Sequence, residues 1–211
     1  RAVNNLELFN IFFPERRQFF LEYSGIWTGG RNSQIRPFFS RTIGLENTFN
    51  AAPAPLDAGV RYTDRNDERT LAALAVRQRG TDNSTGSTFG VGRYTKNYGN
   101  ENNFGAMVTY RLDDSSSDLG IGNRNNTTIS VDGLIRPKSE ITLSYLLSTS
   151  VDSEIDQAGF SGRFQLSKRT NKYFLRYTNA YVSQDYTPDM GFVFQKNFMY
   201  HTPGAYAILL P

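Results

Sequence analysis

The stretch Phe104-Gly105-Ala106-Met107-Val108-Thr109-Tyr110-Arg111-Leu112 decides how this chain is read. Phe104, Ala106, Val108, Tyr110 and Leu112 form one set, and Gly105, Met107, Thr109 and Arg111 the other. A period of two belongs to a β-strand whose two faces meet different surroundings. The sorting recurs with new residues about seven times along the chain, over about ten residues each time. An ordinary soluble strand runs ~5 to 6 residues, whereas a tilted strand that crosses a bilayer needs ~9 to 11. The pattern therefore predicts an antiparallel transmembrane β-barrel of the outer-membrane type.

The second half repeats the scheme. Ile129, Val131, Gly133 and Ile135 alternate with Thr128, Ser130, Asp132 and Arg136, and Ile141, Leu143, Tyr145 and Leu147 with Glu140, Thr142, Ser144 and Ser148. Phe160, Gly162, Phe164 and Leu166 oppose Ser161, Arg163 and Gln165, and Tyr173, Leu175 and Tyr177 oppose Arg176 and Thr178. Short joins at Gly99-Asn100, Pro137-Lys138 and 169–171 contrast with longer polar loops predicted over 113–126 and 149–156, the asymmetry of outer-membrane barrels. Tyr62, Tyr94, Tyr110, Tyr173 and Tyr181 fall near strand ends, where an aromatic ring with a hydroxyl suits a membrane–water boundary.

A charge facing lipid at the bilayer midplane costs ~2 to 4 kcal/mol. The mid-strand charges Arg111, Asp132, Glu140, Arg163 and Arg176 are thus expected to line the lumen, and Phe104, Val108 and Leu112 to face lipid. Their mixed signs favour mutual pairing over a selectivity ring, which wants one sign at one level.

Composition agrees. Apolar residues make up 38% of the 211, below the ~45 to 50% of a typical soluble domain, a count that also includes glycine, and mean hydropathy is −0.49. No run of 18 apolar residues exists to make a helical span. Zero cysteines exclude a disulfide scaffold or thiolate metal site, and one histidine leaves little for imidazole chemistry. The 23 basic and 20 acidic residues are spread without the basic cluster of a nucleic-acid face. No cofactor motif occurs: the glycines of "GVGRYTKNYG" lie within a strand pattern and open no helix. Asp113, Asp114 and Asp118 match no complete calcium loop and read as a solvated acidic loop. His201, in "FMYHTPGAY", reads as a turn or rim residue with no partners for a triad.

Residues 1–45 lack sustained alternation and are set apart from the strands expected over 46–211. Pro14 suits the first position of a short helix, with Glu15 at the positive end of its dipole. Phe12, Phe19, Phe20, Tyr23 and Trp27 are expected to pin this segment as a plug, a rim or a periplasmic packing piece, with Glu15, Arg16, Arg17 and Glu22 available to pair with wall charges. The chain opens at Arg1 and stops at Leu210-Pro211, where a barrel would finish on a strand with a terminal aromatic; the reading is of an incomplete part of a larger barrel.

Three segments carry a resemblance: "FFPERRQFFLE" (12–22), "FFSRTIGL" (38–45) and "YTPDMGFVF" (186–194). In this order they resemble a family of Bacteroidota outer-membrane proteins of uncharacterised function, in which a carbohydrate-binding family 9-like domain precedes a long C-terminal barrel. Pro14, Glu15, Arg16, Arg17, Phe19, Phe20, Glu22, Arg41, Gly44, Pro188 and Gly191 are the positions that match. The resemblance implies location in the outer membrane of a Gram-negative bacterium and contact with its lipid. It allows other outer-membrane or periplasmic proteins as partners, and carbohydrate through a domain absent from this chain. It implies no activity.

The leading expectation is a non-enzymatic barrel, a transport channel or a structural or accessory subunit of a larger outer-membrane complex. A soluble carbohydrate-binding β-sandwich is the second reading. A barrel-embedded hydrolase is the third, with Asp113, Asp114, Asp118 and His201 as its only candidates.

Overall fold

A computed structural model describes residues 17–22, 24–29, 34–46, 52–99 and 101–207. After a four-residue helix, α1 (Gln18–Leu21), and a 3-10 turn at Ser24–Trp27, a two-residue strand β1 (Ile35–Arg36) leads to a second 3-10 turn at Ser40–Thr42. Eight long strands follow: β2 (Leu56–Arg65), β3 (Arg69–Gln78), β4 (Ser87–Tyr98), β5 (Asn102–Asp113), β6 (Arg124–Lys138), β7 (Ile141–Asp152), β8 (Ile155–Arg169) and β9 (Tyr173–Val182). Short β10 (Phe192–Val193) and long β11 (Phe198–Ala207) complete the order. The nine long strands make one antiparallel meander in which each pairs with its neighbours in the chain, and β1 pairs with β10. Among the described residues β2 and β11 are edges, and the sheet does not close on itself. No helix of the described residues is long and apolar enough to cross a membrane.

The decisive stretch is β5. Its register against β4 sets Met107 opposite Arg93 and Val108 opposite Gly92. Gly105, Met107, Thr109, Arg111 and Asp113 are buried on one face, while Phe104, Val108 and Tyr110 are exposed on the other. The alternation is the pleat itself: adjacent side chains point to opposite sides, so one register fixes both faces. Strands β3 to β9 contribute to a covered face and an open face in the same sense, while the edge strands β2 and β11 bury no residue.

Two segments lie over the covered face. The 17–43 segment packs Phe20, Trp27, Phe38 and Ile43 against Ala72, Leu74, Val76, Phe89, Val91 and Met107 of β3 to β5. The β1–β10 pair brings Ile35 and Val193, with Tyr186, onto Leu146, Ala180 and Val182 of β7 and β9. Residues 183–197, expected among the barrel strands, thus form part of the cover.

Several connections differ from expectation. β7 and β8 extend to Asp152 and from Ile155, so the loop predicted over 149–156 is a two-residue turn, Ser153-Glu154. The polar run is real but marks the covered face, where Ser148, Ser150 and Asp152 are buried. Pro137 and Lys138 lie within β6, at a register shift between Ile135 and Lys138, and Ser139-Glu140 makes the turn. Proline cannot donate to a ladder, so it sits where pairing is interrupted. At the β4–β5 turn, Gly99 and Glu101 take φ +55° and +63°, as a tight hairpin requires. His201 lies within edge strand β11 rather than in a turn; Pro203, two residues on, fits an edge.

Candidate functional site: the covered face of the sheet

The covered face carries most of the buried charge. Arg93 of β4 reaches across β5 to Asp132 of β6 with two hydrogen bonds, Nη1 to Oδ2 at 2.7 Å and Nη2 to Oδ1 at 2.9 Å. Both side chains are about 95% buried (4% and 5% exposed). Two glycines make room for the pair: a Cβ on Gly105 would stand 2.8 Å from Arg93 Nη2, and one on Gly29 of the cover 2.8 Å from Asp132 Oδ2. A bidentate fork leaves neither charge uncompensated in a low-dielectric interior.

A larger network occupies the other end of the same face. Arg111 Nε donates to Asp113 Oδ1 at 2.8 Å, and Ser87 Oγ donates to the same oxygen at 2.6 Å. Arg124, at the start of β6, forks onto Asp152 of β7 and donates to Asp189 of the cover at 2.5 Å. Asn126 donates to Thr187 O at 2.7 Å and accepts from Asp189 N at 3.2 Å, while Ser150 Oγ accepts from Thr187 N at 2.8 Å. The buried Tyr186 hydroxyl donates to Ser148 Oγ at 2.8 Å. Burial raises that phenol above its ordinary pKa, against the hydrogen bond with Ser148. Residues 186–189 are thus bolted to β6 and β7 by side chains that the sheet points inward.

The described parts of 12–22, 38–45 and 186–194 meet on this face. Arg17 donates to Ile43 O at 2.7 Å and Ser40 O at 2.8 Å, and its guanidinium lies 4.3 Å from the Phe20 ring centre. Gly44 has φ +82°, a Cβ there would press on Arg17 Nη1, and its N–H donates to Gln78 Oε1 at 2.8 Å. Phe39 N donates to Met190 O at 2.6 Å, and a Cβ on Gly191 would stand 2.4 Å from Arg36 O. Glu22 pairs with Arg61 of β2, which also donates to Phe19 O at 2.7 Å and lies 5.5 Å from the Phe19 ring centre. Pro188 is buried, and Arg41 is half-buried beside it in a cleft of about 370 Å³. Pro14, Glu15 and Arg16 lie outside the described residues.

Of the charges expected to face inward, Arg111 and Asp132 are buried there, in separate pairs. Arg163, on the same face of β8, donates to Gln165 at 2.5 Å, and Arg176 sits half-buried on the covered face of β9. Glu140 is not on a wall: it is exposed in the β6–β7 turn, one residue before the strand begins. Arg93, Arg124, Asp152 and Asp189 went unread. Arg93 and Asp152 share the parity of their strands' inward set; Asp189 is in a loop, and only folding brings it to Arg124.

The hydrolase candidates do not converge. Asp113 is held by Arg111 and Ser87, Asp114 pairs with Arg77 at the sheet's rim, and Asp118 is exposed. His201 is on the open face, its Nδ1 2.6 Å from the Tyr177 hydroxyl. Among the described residues no group of three or more His, Asp or Glu side chains is placed to hold a metal ion.

The open face is the inverse of the covered one. Val60, Leu147, Phe160, Ile129 and Val151 are 52 to 66% exposed, and Tyr62, Tyr94, Tyr110 and Tyr181 stand out on the same side. Between β6 and β9 this surface holds a shallow apolar depression of about 700 Å³, lined by Ile129, Leu147, Phe160, Phe164 and Tyr181 among others. Comparison with protein-family models, with curated proteins and with solved structures returns no match.

Proposed function

We propose that this chain is an arc of a non-enzymatic outer-membrane β-barrel whose interior is occupied by its own described residues of 17–22, 24–29, 34–45 and 183–197, serving as a structural or accessory subunit rather than an open channel. The observation that carries this reading is the inverted polarity of the sheet: large apolar side chains exposed on one face, paired charges buried on the other. A soluble sheet would cover such an apolar face with a second layer. Among the described residues one sheet holds all nine long strands, and the two-stranded β1–β10 sheet packs on the covered face rather than the open one. Lipid is the solvent that suits the open face.

Three further features support the membrane reading. Strands of 10 to 15 residues are long enough to cross at a tilt. Turns at 66–68, 99–101, 139–140 and 170–172 mark one end, while the longer connections 79–86, 114–123 and 183–197 lie at the other together with one short turn, 153–154; short turns face the periplasm in such barrels. The resemblance of the three cover segments points the same way. Strand parity adds that the arc is incomplete. In a nine-strand meander the first and last strands run parallel, so all-antiparallel closure takes an odd number of further strands, giving the even total of bacterial barrels.

The test is membrane extraction followed by reconstitution. The chain in its native membrane is expected to need detergent for release and to give no conductance in planar bilayers. Recovery as monodisperse protein without detergent would overturn the membrane reading, and a steady conductance would overturn the filled interior.

A further inference from the structure

At the short-turn end the cover stops short of the sheet's rim, and a polar cleft of about 800 Å³ opens between residues 25–28 and β2 to β7. The buried Arg93–Asp132 pair forms part of its floor. Hydroxyls elsewhere on the covered face that are unpartnered among the described residues, at Thr109, Thr128 and Ser130, are sealed from solvent, whereas the cleft's polar groups line an open cavity. Arg65, Asp67, Thr70, Thr95, Asn103 and Ser144 all line it, and none makes a side-chain hydrogen bond or ion pair among the described residues. At the opposite end the inward side chains of Arg124, Asn126, Ser150 and Asp152 are committed to one another or to the cover.

We propose that this cleft is a binding site for a neutral, hydroxyl-rich ligand, a saccharide of one to three rings. Its volume lies within the ~300 to 1,000 Å³ of small-ligand sites. The uncommitted groups are amide, hydroxyl and one charge of each sign, which supply donors and acceptors in mixture, as a polyol needs. Arg93 and Asp132 cancel each other, and Arg65 and Asp67 face the cleft with opposite signs, so no net field selects an anion or a cation. A phosphate ligand would want convergent cations or a backbone nest, and among the described residues Arg65 is the one uncommitted cation in the lining. A lone free carboxylate, Asp67, is too little for a divalent ion. Ile26 and Leu134 offer the apolar contact that the C–H face of a sugar ring takes. The binding claim stands on the cleft alone; only its opening toward the periplasm rests on the barrel reading.

Trp27, the single tryptophan, is buried next to Ile26 and Thr28 of the cleft's roof and serves as the reporter. The full chain, solubilised in a detergent without a sugar headgroup so that the micelle does not compete, would be titrated with maltotriose, cellotriose and xylotriose while Trp27 emission is followed. Saturable binding of at least one is expected. Removing one neutral hydrogen-bonding group, Asn103→Ala or Thr95→Val, should weaken it about three- to tenfold. Ser87→Ala, at the far end of the face, should leave it unchanged, and near-ultraviolet circular dichroism of each variant checks the fold. The proposal is overturned by no saturable response to any of the three sugars, by binding that Asn103→Ala and Thr95→Val leave intact in folded protein, or by tighter binding of trigalacturonate than of the neutral sugars. Failure of the chain to partition into membranes would break the barrel reading and leave this titration standing.

Discussion

The cover is held over one sheet in two unlike ways. Over β3 to β5, Phe20, Trp27, Phe38 and Ile43 sit on Leu74, Val76, Phe89 and Met107, an apolar contact that excludes water and needs no particular partner. Over β6 and β7, residues 186–189 are fixed by hydrogen bonds and ion pairs from Arg124, Asn126, Ser148 and Ser150. The first contact tolerates changes of shape that conserve volume. The second tolerates little, because removing one partner leaves a buried charge or dipole uncompensated. The contrast teaches that the 186–189 part of the cover is held mainly by particular polar partners and the 17–43 part mainly by apolar contact.

Substitutions that separate the two halves follow in order of size. The largest effect is expected at Gly159 of β8, where a Cβ would stand 2.2 Å from the backbone N and Cα of Tyr186. Gly159→Val should lift residues 185–190 off the sheet altogether, seen as new protease cleavage in 183–197 with cleavage in 17–45 unchanged. Arg124→Ala strands Asp152 and Asp189 and should cost ~3 to 5 kcal/mol, measured by urea unfolding in detergent. Arg124→Met, which also deletes the charge, should be as harmful while the two aspartates stay. Leu74→Ala, under the apolar half, should cost ~2 to 5 kcal/mol, and Leu74→Met under ~1.5 kcal/mol. A conservative swap that hurts as much as truncation would contradict the assigned difference. Smallest is Arg61→Gln. Its partner Glu22 is 57% exposed, so the loss should be ~1 kcal/mol or less and should shrink with added salt.

The difference also explains what could be read in the sequence. The faces of β5 were legible because apolar residues recur at every second position from Phe104 to Leu112 and Arg111 falls in the other set. Glu140 misled because the alternation of β7 extrapolates one residue into the turn before it. The run 149–156 reads as a loop because a strand whose inward set is Ser148, Ser150 and Asp152 is polar in composition; the apolar signal there rests on Leu147 and Val151 alone. Leu146 breaks the polar set of β7, and its reason is Ile35, Tyr186 and Val193 of the cover, far away in the chain. The ion pairs at Arg93 and Arg124 depend on strand register and on Asp189. Periodicity assigns a face but not a partner.

The central claim is that the open face meets lipid and the covered face does not. The chain has no cysteine, so single cysteines can carry a nitroxide one at a time at positions 106 to 112 of β5 in reconstituted vesicles. Accessibility to oxygen, which partitions into lipid, and to a water-soluble nickel chelate would then be read by electron paramagnetic resonance. The account predicts a period of two, with 106, 108, 110 and 112 open to oxygen and shielded from nickel, and 107, 109 and 111 shielded from both. Nickel access at 108 equal to that of an exposed loop site such as 118 would contradict it.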